Sequence, residues 1–173
     1  RLDAFEPESK RPAYDIVLQA ETGFLSMSGT QNGTLCRMPV ALIDILAAHQ
    51  LKEGILLALL RKASTGAGAT VTTSLYNSAL ASLANQATNY LIAGQVARPM
   101  GSQHPNIAPY GELFTCNDQK QVVLAIGSNA QFKALCEALN LYTVLSDPRF
   151  LNNQTRVQHR IELSRLLQEQ IST

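Results

Sequence analysis

The chain has 173 residues, 46% of them hydrophobic, and a formal net charge of +1. This is globular composition, enough for one domain or two small ones, and it excludes the basic bias of a nucleic-acid or membrane-surface binder. Asp44, His49, Gln50, Lys52 and Glu53 interrupt the best apolar run, which excludes a membrane-spanning helix. Residues 1–14 lack an apolar h-region and are no signal peptide. They carry no initial Met, so a fragment of a longer chain is expected. Cys36, Cys116 and Cys136 are odd in number and scattered, with no metal-ligand spacing. They read as reduced cytoplasmic thiols, and no metal is expected.

Residues 1–12 are polar and read as extended or loop. A helix is predicted over 15–28, with Gly23 as its weak point. Residues 29–37 form a loop with an Asn32-Gly33 turn signal. The organising element is 39–74. An apolar helix is predicted over 40–62, with Pro39 at its start and Gly66 at its end. It is apolar nearly all round, which predicts burial. Asp44 stands alone among Leu42, Ile43, Ile45 and Leu46 near the first turn. A carboxylate there is either an ordinary N-terminal helix charge or a nucleophile, and a buried one would favour the second reading. His49 reads as a helix-face residue. Thr65-Gly66-Ala67-Gly68 is too short and misplaced for a dinucleotide fingerprint or a P-loop.

A strand is predicted over 70–75 and a second long helix over 76–94, with Gly94 at its C-terminus. Residues 98–105 form a linker, and a subdomain boundary is placed near it. Two strands, 111–115 and 121–126, flank the turn Asn117-Asp118-Gln119-Lys120 as a hairpin. The stretch 129–139 is an amphipathic helix with Asn129 as N-cap and Phe132, Leu135, Cys136 and Leu139 as its core face. Ser146-Asp147-Pro148 is a turn. A last helix is predicted over 161–171, with Ile161, Leu163, Leu166 and Leu167 apolar. The residues alone thus give an α/β protein with one provocative carboxylate.

Four stretches, in order, carry a resemblance. Residues 11–29, RPAYDIVLQAETGFLSMSG, are similar to a segment R-P-x-Y-D-x-x-x-Q-A-x-x-G. Residues 39–74 resemble a segment with an aspartate after Pro and a later G-I-L-x-A-L-L-x-R-x-x-T-G-x-G. Residues 83–110 resemble a linker helix with its following loop. Residues 147–163, DPRFLNNQTRVQHRIEL, resemble D-P-R-F-x-x-N-x-x-R-x-x-x-R-x-x-L. The family that has these segments is the class III CoA-transferases, which includes formyl-CoA transferase and carnitine CoA-transferase.

The resemblance implies an α/β fold made of a Rossmann-like large domain, a long linker helix and a smaller α+β domain. This chain would supply 1–75 of the first, 76–100 of the second and 101–173 of the third. It implies that Asp44 is the nucleophile, attacking an acyl-CoA thioester to give a mixed anhydride and then an aspartyl-CoA thioester. Coenzyme A enters as substrate, with no covalently bound cofactor. The implied partners are an acyl-CoA, a carboxylic acid acceptor and a second copy in an interlocked homodimer. The implied location is cytoplasmic. Tyr14 is expected beside the site and Gln19 facing it. A glycine-rich loop in some members corresponds here to 101–106, which places Gly101, Gln103 and His104 near substrate, although this loop has only one Gly. The alternatives are an acyl-CoA racemase of the same fold, using an Asp/His pair, and a non-catalytic dimerisation module. With the segment that holds the CoA nucleotide lying upstream, the isolated chain is expected to bind CoA poorly.

Overall fold

The computed structural model describes residues 14–173; the stretch expected to be extended at 1–12 lies outside them. The chain divides into two compact units, Arg1–Pro99 and Met100–Thr173. The division falls within the Pro/Gly-bearing stretch 98–105.

The regular elements among the first unit's described residues are all helices. Helices α1 (Asp15–Glu21) and α2 (Phe24–Met27) replace the single helix predicted over 15–28. Gly23 separates them at φ +92°, a left-handed conformation that ends the hydrogen-bond ladder. The loop after α2 closes through a bridge between Gly29 and Leu35. Helix α3 (Leu42–Thr65) has 24 residues and ends at a left-handed Gly66. It is followed by 66–74, where the expected strand does not form. Thr70, Val71 and Thr73 favour extended backbone, but a strand also needs a neighbour for its N–H and C=O groups. The described residues of this unit provide none.

That segment instead lies close to α3. A Cβ on Gly54 would come within 2.6 Å of Val71 Cγ1, which explains a glycine in mid-helix. Ser74 then caps α4 (Leu75–Ala81), its side chain accepting from the Asn77 N–H. Ser78 fastens α4 to α3 by donating to Gln50 Oε1 at 2.8 Å. The long helix expected over 76–94 is broken. Turns from Leu83 N–H to Leu80 O and from Gln86 N–H to Leu83 O tighten the chain, and Ala84 adopts φ +50° before α5 (Asn85–Ala93). The local core is Leu18, Ile43 and Ala79, with Phe24, Leu46, Leu75 and Tyr76 against it.

Burial of α3 is the expectation that fails most clearly. Only Ile43 and Ala47 are buried, while Leu57 and Leu60 are 67% and 68% exposed. The helix packs on α1 and α4 along one side only. Apolar residues on its remaining sides have no cover among the described residues.

The second unit is an antiparallel hairpin, β1 (Tyr110–Thr115) and β2 (Gln121–Ala125), covered by helices. The register shifts between Tyr110 and Leu113, where Gly111 adopts φ +75°. A Cβ on Gly111 would stand 2.5 Å from the carbonyl oxygen of Ser102. Helix α6 (Asn129–Ala138) carries Phe132 and Cys136 into the core. Its cap is Ser128, in a capping box with Gln131, and not the expected Asn129. Helix α7 (Tyr142–Ser146) leads to a 3-10 turn, Pro148–Phe150, capped by Asp147. Hydrogen bonds from Arg149 hold the Asp147 carboxyl below its usual range.

Helix α8 (Asn153–Gln158), absent from the sequence expectation, starts with a capping box of Asn152 and Thr155. Helix α9 (Arg160–Ile171) buries Leu163 and Leu167, whereas Ile161 is 85% exposed. Two residues turn a helix by about 200°, so Ile161 and Leu163 face opposite ways. Gln168 ties α9 to β1 by accepting the Thr115 N–H at 3.0 Å and donating to the Thr115 carbonyl at 2.8 Å. The core comprises Phe114, Phe132, Cys136, Val144, Phe150, Leu163 and Leu167.

Gly111→Ala is expected to cost about 2 kcal/mol or more, from left-handed strain plus the Ser102 contact, read as a lower denaturation midpoint. Cysteine reactivity should divide sharply. Cys36 is exposed, while burial pushes the Cys136 thiol up to about 11. Iodoacetamide at neutral pH should label Cys36 in the native protein and Cys136 only after unfolding, as mapped by peptide mass.

Candidate active site

In the first unit the site is the N-terminus of α3. Helix N-termini leave backbone N–H groups without intrahelical partners. One of these, on Ile43, donates to Asp15 Oδ1 at 2.7 Å, so a carboxylate from α1 caps α3. The other oxygen of Asp15 accepts from the Gln19 amide. Gln19 Oε1 in turn accepts the Met38 N–H at 2.9 Å. A chain of three contacts thereby fixes where α3 begins.

Asp44 is the next residue, in the first turn of the helix. It is exposed, which corrects the expectation of a buried carboxylate. Burial had been inferred from its apolar neighbours, but those neighbours stand on different sides of the helix. Asp44 makes no hydrogen bond or ion pair within the described residues, so its carboxylate is open to a ligand. The 24-residue helix places its positive end behind the anion.

Tyr14 is 69% exposed at the N-cap of α1, where its carbonyl accepts from Val17 and Leu18. Gln19, expected to face substrate, is fully buried with both ends of its amide engaged by protein. Its part in the site is therefore to orient Asp15. Asp15 itself was missed by sequence reasoning. Its signal was faint: an acid in the first turn of one helix, paired with a glutamine four residues on.

In the second unit, Gly101, Gln103 and His104 lie on the loop leading to β1. Gly101 is exposed at φ +62°, and Gln103 and His104 are half-buried. The His104 N–H donates to the Tyr110 carbonyl at 3.1 Å. The loop is held by three residues to which sequence reasoning gave no role, although the segment 147–163 contains them. Arg160 donates to the carbonyls of His104 and Pro105 at 2.9 and 3.0 Å. Asn153 donates to the Asn106 carbonyl at 2.8 Å and accepts the Ala108 N–H at 3.2 Å. Arg156 donates to the Ala108 carbonyl at 2.8 Å.

Arg156 is wholly buried, and its remaining nitrogens reach the Phe150 carbonyl and Asn129 Oδ1. Its guanidinium lies 4.4 Å from the centre of the Phe132 ring. Burial lowers its pKa from the usual arginine value. The available signal was the segment 147–163, whose pattern D-P-R-F-x-x-N-x-x-R-x-x-x-R names all three positions without giving them a role. Among the described residues, no group of acids, histidines and cysteines is placed to hold a metal ion. No described helix is long and apolar enough to cross a membrane.

A family model, CoA-transferase family III, matches residues 2–173. The chain belongs to that family. An acyl-CoA transferase of Fusarium pseudograminearum is 39% identical over 93% of this chain and 35% of its own length. The human succinyl-CoA:glutarate CoA-transferase is 33% identical, over 94% of this chain and 37% of its own. A CAIB/BAIF family protein from Brucella suis superposes with a TM-score of 0.71 at 33% identity, covering 95% of this chain and 43% of that one. The fold is thus the α/β fold of class III CoA-transferases, and this family III chain spans about two fifths of such relatives.

Asp15→Ala should free the Ile43 N–H and cost about 1 kcal/mol, the usual worth of an N-cap. Hydrogen exchange at the Ile43 amide should then run several-fold faster, with Asp15→Asn falling between.

Proposed function

We propose that the chain is the nucleophile-bearing part of an acyl-CoA:carboxylate CoA-transferase, with Asp44 as the catalytic residue. The observation that carries this reading is an exposed carboxylate with no protein partner among the described residues, held at the positive end of a long helix in a family III chain. Relatives named for succinyl-CoA:glutarate and acetyl-CoA:oxalate exchange support a carboxylate as acceptor.

An Asp44 oxygen attacks the thioester carbonyl of the donor. The C–S bond breaks, coenzyme A leaves as its thiolate, and a mixed anhydride remains. The thiolate attacks the aspartyl carbonyl, the donor leaves as a carboxylate, and Asp44 becomes a thioester of coenzyme A. The acceptor carboxylate displaces the thiolate to form a second anhydride. The thiolate then takes the new acyl group and restores Asp44. Each step exchanges one activated acyl for another, so no other energy source enters. The helix N-terminus favours the anion that the first attack requires. A site closed to water would protect the anhydrides.

Gly101, Gln103 and His104, with Tyr14, are the substrate contacts in this reading. The reading includes a cytoplasmic interlocked homodimer, in which the exposed Leu57 and Leu60 of α3 and Leu91 and Ile92 of α5 would be covered. The racemase alternative needs a histidine partner for Asp44, which in that reading comes from a segment upstream of these residues.

The intact protein, incubated with a panel of acyl-CoAs and quenched with hydroxylamine or borohydride, should show a mass change on the peptide carrying Asp44. Asp44→Ala should abolish it while changing stability by less than about 1 kcal/mol, as for an exposed first-turn acid. Exchange of the proton next to the carbonyl, without any adduct, would decide for the racemase.

A further inference from the structure

Gln19 and Asp15 grip the chain at Met38 and at Ile43, on either side of the turn that enters α3. Inside that turn the Leu42 N–H donates to the Val40 carbonyl at 2.8 Å. Ile43 is held twice, by its N–H on Asp15 and by its side chain, fully buried in the core with Leu18 and Ala79. The direction of each link is fixed. The Met38 and Ile43 N–H groups are backbone donors, so the pair between them must accept at both outer ends. The inner contact then needs a donor facing an acceptor, which an amide and a carboxylate supply. Two amides would set donor against donor, and two carboxylates acceptor against acceptor. Gln19 is fully buried, so solvent does not reach its amide to repair a mismatch.

We propose that Asp15 and Gln19 are positioning residues for the acyl transfer, setting where the Asp44 carboxylate stands through the direction of their hydrogen bonds and not through the charge of Asp15. This rests on Asp44 being the nucleophile, as proposed above. A helix cap needs only an acceptor, and Asp15 supplies that alone. The buried amide adds orientation: it stops the Asp15 carboxylate from turning and ties it to the segment arriving from Met38. Any shift of the first turn of α3 carries Asp44 with it. Attack on a carbonyl carbon tolerates little of that, since a displacement on the order of 1 Å can cost about a hundredfold in rate.

The test measures the single-turnover rate at which Asp44 is acylated in the intact protein. The donor is the acyl-CoA of the panel above that gives the largest Asp44 mass change, beginning with succinyl-CoA. Asp15→Asn keeps an acceptor for Ile43 but faces the Gln19 amide with a second donor. It should slow acylation about tenfold, as for one misaligned hydrogen bond, while KM for the acyl-CoA moves less than about twofold. Asp15→Asn combined with Gln19→Glu restores amide and carboxylate in the opposite order, with the charge moved to position 19. It should recover the rate to within about threefold of the unmodified protein, a rescue that neither a lost charge nor a weakened cap would show. If the double variant does not fold, Gln19→Leu decides, because it leaves the Asp15 cap in place and removes only the orienting amide; it should also slow acylation about tenfold. A rate unchanged in Asp15→Asn or in Gln19→Leu, an effect confined to KM, or a folded double variant no faster than Asp15→Asn would overturn the proposal. Absence of any Asp44 adduct in the unmodified protein would count against acyl transfer, and so against a part in catalysis. Slowed exchange of the Ile43 amide in the double variant relative to Asp15→Asn separately reads whether hydrogen-bond direction holds the turn.

Discussion

The carboxylate of Asp15 on the backbone N–H of Ile43 is the constraint on which the candidate site depends. A helix start left to itself frays within its first turn, because its N–H groups have nothing to hold. Here α1 supplies the missing acceptor, and Gln19 locks that acceptor by bridging to Met38. Asp44 follows one residue later, so its location is set by a tertiary contact rather than by its own side chain. That division of labour leaves the Asp44 carboxylate unspent. An acid used to cap its own helix would be a poor nucleophile, because its lone pairs would already be engaged.

In the second unit the corresponding constraint is Arg156. A buried guanidinium without a carboxylate must satisfy its donors on neutral acceptors. It does so with two backbone carbonyls, the Asn129 amide and the face of Phe132. These partners come from the loop before β1, the 3-10 turn and α6. One side chain therefore joins three segments distant in sequence. Asn153 at the start of α8 and Arg160 at the start of α9 extend the attachment along the loop.

Membership of CoA-transferase family III and the exposed α3 face bear on each other. Leu57 and Leu60 of α3, and Leu91 and Ile92 of α5, are large apolar groups facing solvent in this chain. Area of that kind costs free energy in water and is ordinarily met by other protein. The chain spans about two fifths of the length of its relatives. In the proposed reading the chemistry of Asp44 is local, whereas recognition of an acyl-CoA would draw on surfaces well beyond one helix turn.

Much of this was legible in the sequence. The periodicity of the α3 residues marked a long helix with Asp44 in its first turn, the strand–turn–strand pattern gave the hairpin, and Phe132 and Cys136 read correctly as core. Each depends on neighbours in sequence, which is where hydrogen-bond ladders and turns are decided. The family segments pointed to Asp44 and to the D-P-R-F stretch without saying why Asn153, Arg156 and Arg160 recur in it. Tertiary structure alone decided the rest. It left 70–74 unpaired for want of a neighbouring strand, broke the helix at Ala84, and gave α3 only one covered side. It turned Asn129 from a cap into a partner of Arg156, and it placed Asp15, from another helix, at the start of α3. Those outcomes depend on which groups meet across dozens of residues, and local pattern does not encode that.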